Sequence, residues 1–458
     1  MNTSTESFDA VVIGGGVYGI LLALEGASRG QRVLLIERDD FGSGATFNHL
    51  RTIHGGLRYL QFLDFKRAVT SNRQRLWWLK TFPDLVHPIS CLMPLYGQGA
   101  RRPEAFYGAF LMARTLGLHK DGEGRSRRIS VVSTSEVESL LPHCRRDGLD
   151  RGALWQDAFM PAPHRVIAEL LHWAESAGAV VRNRIEFISA ARGKDEAWRV
   201  SLQDQRTSAT VEVTAKWIIN AAAARTDEVI LRMTGAPRAP VLVPTMAWGL
   251  LIDRPPVSEC SVAVAPPGKG RRTYFVHPYQ GRVLAGTGHT GIAAGAALPT
   301  GVSEAQVAET LADLNEAMPG ANLVRDQVRH VFWGVLPGVQ AGSEALLMHP
   351  EIIDHGKRDG VPGAWTVLGV KFTEAPFVAN RVWSALLGKQ AQALPPRPPA
   401  VAIPTIAEAR AMSDEALAAR LRALSAAEWD AGPEDLAWRR TDLWMDEVQA
   451  RRVEVLAQ

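Results

Sequence analysis

A mixed α/β chain carrying two different kinds of sheet is predicted by three observations. First, a short apolar strand over residues 8–13 runs into a glycine-rich turn, a helical stretch over 20–28 closed by Gly30, and a second apolar strand over 32–37. That is a βαβ unit of about thirty residues, for which a right-handed crossover is expected. Second, strand-like runs at 246–252, 273–277 and 282–286 are joined by Pro/Gly-rich turns, the pattern of an antiparallel sheet apart from the βαβ unit. Third, further strand patterns return at 211–221 and 364–369, with a helical segment after Thr373. The fold class is therefore α/β (α+β overall): a Rossmann-type lobe interleaved with an antiparallel-sheet lobe, plus a short C-terminal helical region.

The remaining elements follow in order. Around 164–178, Ile167, Leu170, Leu171 and Ala174 keep helical spacing, and Gly178 is placed to end that helix. Alternation at Val211, Val213, Ala215 and Trp217 marks a strand running into 218–221. Residues 364–369 form one more short strand, with a helical segment after Thr373. The run 395–399 (PPRPP) is a stiff linker. Ser413 as N-cap, Asp414 and Glu415 in the first turn, and Leu417, Leu421 and Leu424 announce the final helical region. The expected units are 1–90, 150–235 and 345–392 for one lobe, 91–149 and 236–344 for the other, and 393–458 for the linker and tail.

Composition narrows the classes. The chain has 458 residues, a net charge of +3, 22% charged and 46% hydrophobic residues, values of a globular protein with room for an enclosed site. Cys91, Cys144 and Cys260 are odd in number and far apart, so neither a disulfide framework nor a CxxC metal or redox pair is available. The uncharged run 10–24 contains four glycines and is short of a membrane span, and the acidic start lacks a signal peptide's positive charge. A cytoplasmic location is expected. The arginines at 101–102, 125–128 and 145–146 lack aromatic interleaving and read as a solvated loop face. A nucleic-acid partner is not expected, while contact with a membrane surface stays open.

Gly14-x-Gly16-x-x-Gly19 stands between a strand and a helix, the context a dinucleotide fingerprint needs. The first glycine permits the tight turn, the second lets a pyrophosphate approach the backbone, and the third lets helix and strand pack closely. The phosphates would meet the positive end of the helix. Glu37 ends the second strand, 18 residues past Gly19, where an acid hydrogen-bonds ribose hydroxyls and disfavours a 2′-phosphate.

Four segments, in order, carry a resemblance to a known family: IGGGVYGI with IERDDFGSG, IHGGLRYL (53–60), RVLAGTGHT (282–290) and LGVKFT (368–373). EDLAWRRT (434–441) is a weaker fifth. Together they resemble the FAD-dependent glycerol-3-phosphate dehydrogenase family, itself related to the D-amino-acid oxidase superfamily. The resemblance implies FAD as cofactor, bound by non-contiguous segments, with a sheet laid over the flavin ring. Carried over, Gly14, Gly16 and Gly19 hold the pyrophosphate, and Glu37 with Arg38 the ribose side. Ser43 and Thr46 lie near the phosphates, and His54-Gly55 near the isoalloxazine. Gly369, Lys371, Phe372 and Thr373 present backbone N–H groups and a cation to the flavin's pyrimidine edge, where reduction leaves negative charge.

The resemblance also implies a small-molecule substrate and an electron acceptor: quinone, dioxygen or a carrier protein. Candidate proton acceptors are His54, His289 and His49. Arg58, Tyr59 and Lys371 would hold an oxygen-rich substrate. No metal-ligand set is read. The departures matter most. Leu336 stands where the family carries an arginine thought to clamp the substrate anion, and Met348-His349 stands where a second is found. Each charge-assisted bond lost is worth ~1.5–3 kcal/mol, which argues against glycerol 3-phosphate itself. Trp333 and Trp248 suggest an apolar face for a larger ring or sugar, and Val370 replaces the family's second glycine. The expected activity is hydride transfer from a CH–OH carbon to flavin N5. Oxidation of a CH–NH bond and a flavin-binding protein without dehydrogenase turnover are the alternatives.

Overall fold

The computed structural model describes residues 5–97, 102–121, 124–268, 270–388 and 393–457. Two sheets organise them. The eight-stranded sheet has the order Glu351–Asp354, Ala364–Leu368, Thr210–Asn220, Glu6–Ile13, Val33–Ile36, Val180–Arg182, with the hairpin Ile185–Arg192/Trp198–Asp204 paired to the first half of Thr210–Asn220. Its four central pairings are parallel and only its margins antiparallel. Buried on both faces, Ala10–Ile13 and Val33–Ile36 read as continuous apolar runs for that reason. The helix Val17–Ser28 lies on one face, with Pro163–Ser176 and Ala375–Leu387 packed against it.

The nine-stranded sheet runs Val328–Pro337, Pro244–Ile252, Arg282–Gly291, Tyr274–Tyr279, Ser261–Val264, His87–Leu95, Arg151–Phe159, Thr52–Ile53, with Ser130–Val132 added to Arg151–Phe159. It is antiparallel except between Ser261–Val264 and His87–Leu95. Its membership corrects the expected segment limits. Residues 151–159, 52–53 and the start of 87–95 belong to this sheet, not to the Rossmann-type one.

The register between Pro244–Ile252 and Arg282–Gly291 shifts at Trp248/Gly249 and leaves Thr287 as an extra residue. Such a bulge re-aims a side chain, and Thr287 reaches the cavity described below.

The arginine-rich stretch is not a plain loop: it holds the helices Pro103–Thr115 and Thr134–Leu140. Arg125 and Arg127 pair with Asp121, and Arg128 with Glu136; Arg101 lies outside the described residues. The C-terminal region is likewise no free tail. Arg440 meets Asp40 through two hydrogen bonds (2.7 and 2.9 Å), Arg439 adds a third (2.9 Å), and Arg165 pairs with Glu428 at 3.0 Å. Asp40 and Glu428 are fully buried. Burial alone would raise the Asp40 pKa, but the Arg440 charge and hydrogen bonds, then Arg439, hold it below the ordinary carboxylate range.

Candidate functional site

The C-terminal ends of the parallel strands open on one cleft, where this kind of sheet places its ligands. Gly14 follows Ile13, Glu37 follows Ile36, Ala221 follows Asn220 and Gly369 follows Leu368. The cleft has two connected parts. One, of about 550 Å³, is lined by Gly14, Gly16, Glu37, Arg38, Ser43 and Thr46, among others. The other, of about 170 Å³, is lined by Tyr18, His49, Leu336, Val370, Lys371 and Phe372 with mostly apolar neighbours. They share Ala45, Thr46, Asn48, Ala223, Gly334 and Val335.

The larger part has the form of a nucleotide cradle. Gly14 takes φ +108°, and a Cβ there would lie 2.6 Å from the Ala221 carbonyl oxygen. A Cβ on Gly19 would come within 1.8 Å of the Gly14 carbonyl, so the helix can approach the strand only with glycine at that position. No acidic residue occupies the first turn of Val17–Ser28, leaving its positive end to an anion. The Val17 N–H donates to Thr46 Oγ1 at 3.1 Å, which ties the loop 38–47 to the helix start. Glu37 accepts from the Gly15 N–H (2.7 Å) and the Asp39 N–H (2.9 Å), and this fixes its carboxylate at the cavity wall. Burial raises the Glu37 pKa, opposed by those two N–H groups.

At the smaller part, Lys371 Nζ donates to Tyr59 Oη (2.8 Å) and lies 3.5 Å from Glu374. Tyr18 donates to the Lys371 carbonyl (2.7 Å), and its ring fills the space beside Gly369, where a Cβ would come within 2.1 Å. Val370 is in the wall, as is Leu336. Lys371 is the one cation among the described lining residues. A guanidinium does approach Tyr59, but from the helix Phe65–Thr81: Arg67 lies 4.1 Å from the ring centre and donates to the Met348 carbonyl at 2.8 Å.

The other expected residues are placed differently. His54 and Gly55 do not line either part of the cleft. His54 Nδ1 lies 3.1 Å from Asp157 Oδ2, and the Gly55 N–H donates to Asp157 Oδ1 at 2.7 Å. Burial opposes Asp157 ionisation, but the His54 hydrogen bond and charge, then Gly55 and Arg75, leave its pKa below the ordinary value. His289 pairs across from Ala247, a lining residue, without joining the lining itself. Burial, then Arg272, lowers its pKa to about 4. Thr373 is buried and outside the lining of the smaller part, the ring cavity, its carbonyl accepting from Trp78 Nε1 at 3.1 Å. The Arg58 side chain lies outside the described residues.

The two tryptophans do not form one apolar face. Trp248 touches the ring cavity, yet its indole N–H donates to Thr310 on the helix Glu304–Ala317 at 3.0 Å. Trp333 lines the nucleotide part instead. Asp157 and Tyr18 escaped the sequence reading. Tyr18 sits inside the fingerprint itself, and a bulky aromatic between its second and third glycines is the signal that could have found it.

Fold and site together define a two-sheet nucleotide-binding oxidoreductase. The family model described as "FAD dependent oxidoreductase" (DAO) matches residues 9–382, and the chain belongs to that family. FAD is therefore the cofactor, and the glycine cradle, the fixed Glu37 carboxylate and the two-part cleft fit it. A glycerol-3-phosphate dehydrogenase of Synechocystis is 29% identical over 406 residues, covering 86% of this chain and 72% of the relative. An alpha-glycerophosphate oxidase of Enterococcus casseliflavus is 25% identical over 340 residues, 73% of this chain and 55% of that relative. The chain thus spans between about half and three quarters of these relatives' lengths. In fold, the glycerol-3-phosphate dehydrogenase of Bacillus halodurans solved with FAD superposes with TM-score 0.64 at 19% identity, over 98% of this chain and 81% of that one. A glycine oxidase from Geobacillus kaustophilus reaches 0.62 at 18% identity, over 84% and 96%. Among the described residues, no helix is long and apolar enough to cross a membrane.

Proposed function

We propose that this FAD-dependent oxidoreductase oxidises the CH–OH carbon of a small polar substrate of the sugar, polyol or hydroxy-acid kind, and that glycerol 3-phosphate is not that substrate. The observation carrying this reading is Leu336 in the wall of a ring cavity whose one described lining cation is Lys371. A dianionic phosphate needs paired guanidinium donors, and a single ammonium beside a phenol suits hydroxyls or one carboxylate. The activities by which the dehydrogenase and oxidase relatives are named support the CH–OH preference.

FAD supplies the acceptor for the hydride. The chain's own groups bind and orient the substrate. With Lys371 Nζ donating to the Tyr59 oxygen, the phenolic O–H is free to meet a substrate oxygen. His54, with Nδ1 3.1 Å from Asp157 Oδ2 and outside both parts of the cleft, takes no part in this reading. The electrons leave for quinone, dioxygen or a carrier protein. Tyr107 and Leu111, exposed one helical turn apart on Pro103–Thr115 and followed by Arg114, support an anionic membrane surface as the place of that exchange. Vesicle cosedimentation, lost in Leu111→Glu, is the expected result.

Anaerobic bleaching of the flavin by a panel of polyols, sugar derivatives, 2-hydroxy acids, amines and glycerol 3-phosphate tests the main reading. Bleaching by a hydroxylated compound is expected, with glycerol 3-phosphate active only in Leu336→Arg. Bleaching by amines alone, or by glycerol 3-phosphate in the unaltered protein, would overturn it.

A further inference from the structure

His49 stands five residues before His54 and is hydrogen-bonded in the opposite sense. The Arg51 N–H donates to His49 Nδ1 at 2.9 Å, so Nδ1 holds no proton and the neutral ring carries it on Nε2. Protonating Nδ1 as well would break that bond. It would also set a second positive charge beside the Arg51 guanidinium, itself completely buried and bonded to the Phe47 and His49 carbonyls. The loop is therefore closed around one tautomer. Burial first and the Arg51 charge second push the His49 pKa well below the ordinary imidazole value.

The ring stacks obliquely on Phe372, centroids 4.9 Å apart, and lines the ring cavity. Its Nε2 is buried and meets no hydrogen-bond partner in the protein. A buried N–H without an acceptor is costly, and such a group in a cavity wall marks where a ligand atom completes the bond. Leu50, Leu336, Val370 and Phe372 in the same wall are apolar, and its polar residues Thr46, Asn48 and Thr287 make no hydrogen bond to Nε2.

We infer that His49 is a permanently neutral Nε2–H donor to an acceptor atom of the flavin ring, and so never a proton acceptor in the reaction. Its role is to position the ring and stabilise the charge that reduction places on it. This holds whichever substrate class is oxidised.

Two measurements test it. In the ¹⁵N-histidine-labelled holoprotein, the His49 signal should show the Nε2–H tautomer unchanged from about pH 5 to about pH 9. A protonated ring, or the Nδ1–H tautomer, would overturn the inference. Second, sulfite serves as probe, because its addition to flavin leaves negative charge on the ring. His49→Phe should weaken sulfite affinity by about tenfold and shift the visible flavin band, and His49→Gln, which keeps an N–H, should recover most of both. Unchanged affinity in His49→Phe overturns the assignment, as does equal loss in both variants. Should His49→Phe fail to fold, the tautomer measurement on the unaltered protein still decides the matter.

Discussion

The two parts of the cleft are built from different materials. The nucleotide part is shaped by backbone: at Gly14 and Gly19 a Cβ would come closer than 3.0 Å to a backbone carbonyl oxygen. Substitutions there have no tolerated alternative. The ring part is shaped by side chains from distant segments: Tyr18, His49, Thr287, Leu336 and Lys371, the last held by Tyr59. A change of one side chain re-specifies it without touching the fold. Cofactor binding therefore rests on sterics, while under the proposed function substrate choice rests on single residues such as Leu336.

Four perturbations would sharpen or break this contrast. The largest effect is expected at the buttress behind the nucleotide part. Arg440→Met leaves the buried Asp40 carboxylate short of its main partner, a loss of about 3–5 kcal/mol in stability by denaturant melts. The same pair sets an acid limit. Because the folded Asp40 pKa is depressed, its contribution is complete above the unfolded value of about 3.9 and is lost as pH falls through the folded value. Thermal midpoints should drop steeply below about pH 4, and less steeply in Arg440→Met.

Next, Gly19→Val should cost about 3 kcal/mol or more and abolish FAD retention, read as the ratio of visible to ultraviolet absorbance. If it stayed yellow and stable, the steric account of the nucleotide part would fail. At the ring part, Lys371→Ala should slow substrate-dependent flavin reduction by about 10- to 100-fold, or ~1.5–3 kcal/mol, with FAD retained. Equal losses of FAD and of reduction would erase the distinction between the two parts. The smallest effect is expected from Glu37→Gln, which keeps the shape and loses a charge-assisted bond. FAD affinity should fall by about tenfold in equilibrium dialysis, with a smaller drop in the apoprotein's melting midpoint, because an NH₂ replaces one of the two oxygens that accept the Gly15 and Asp39 N–H groups.

Much of the framework could be read locally. The chain before the fingerprint, its helix and Glu37 lie where spacing put them, and Ser413 caps Asp414–Ala427 by accepting the Ala416 N–H. Phe65–Thr81 was missed because FKRAVTSNRQRLWWLKT has no clean apolar stripe, and it buries Asn72, Gln74 and Arg75. Arg151–Phe159 was missed because RGALWQDAF is buried almost throughout and shows no alternation. The C-terminal region looked separable because the partners of Arg439 and Arg440 lie some 400 residues earlier.

The sequence by itself determined the parts governed by short-range sterics and spacing: the βαβ unit, its glycines, the acid that follows its second strand and the helix caps. Only the tertiary structure decided what each titratable side chain can do. His49 and His54 are the same residue type five positions apart. One has Nδ1 occupied by a backbone N–H, and the other has Nδ1 held by a carboxylate 103 residues away. A tautomer is set by the partner that the fold brings to the ring, and no local pattern records which partner that is.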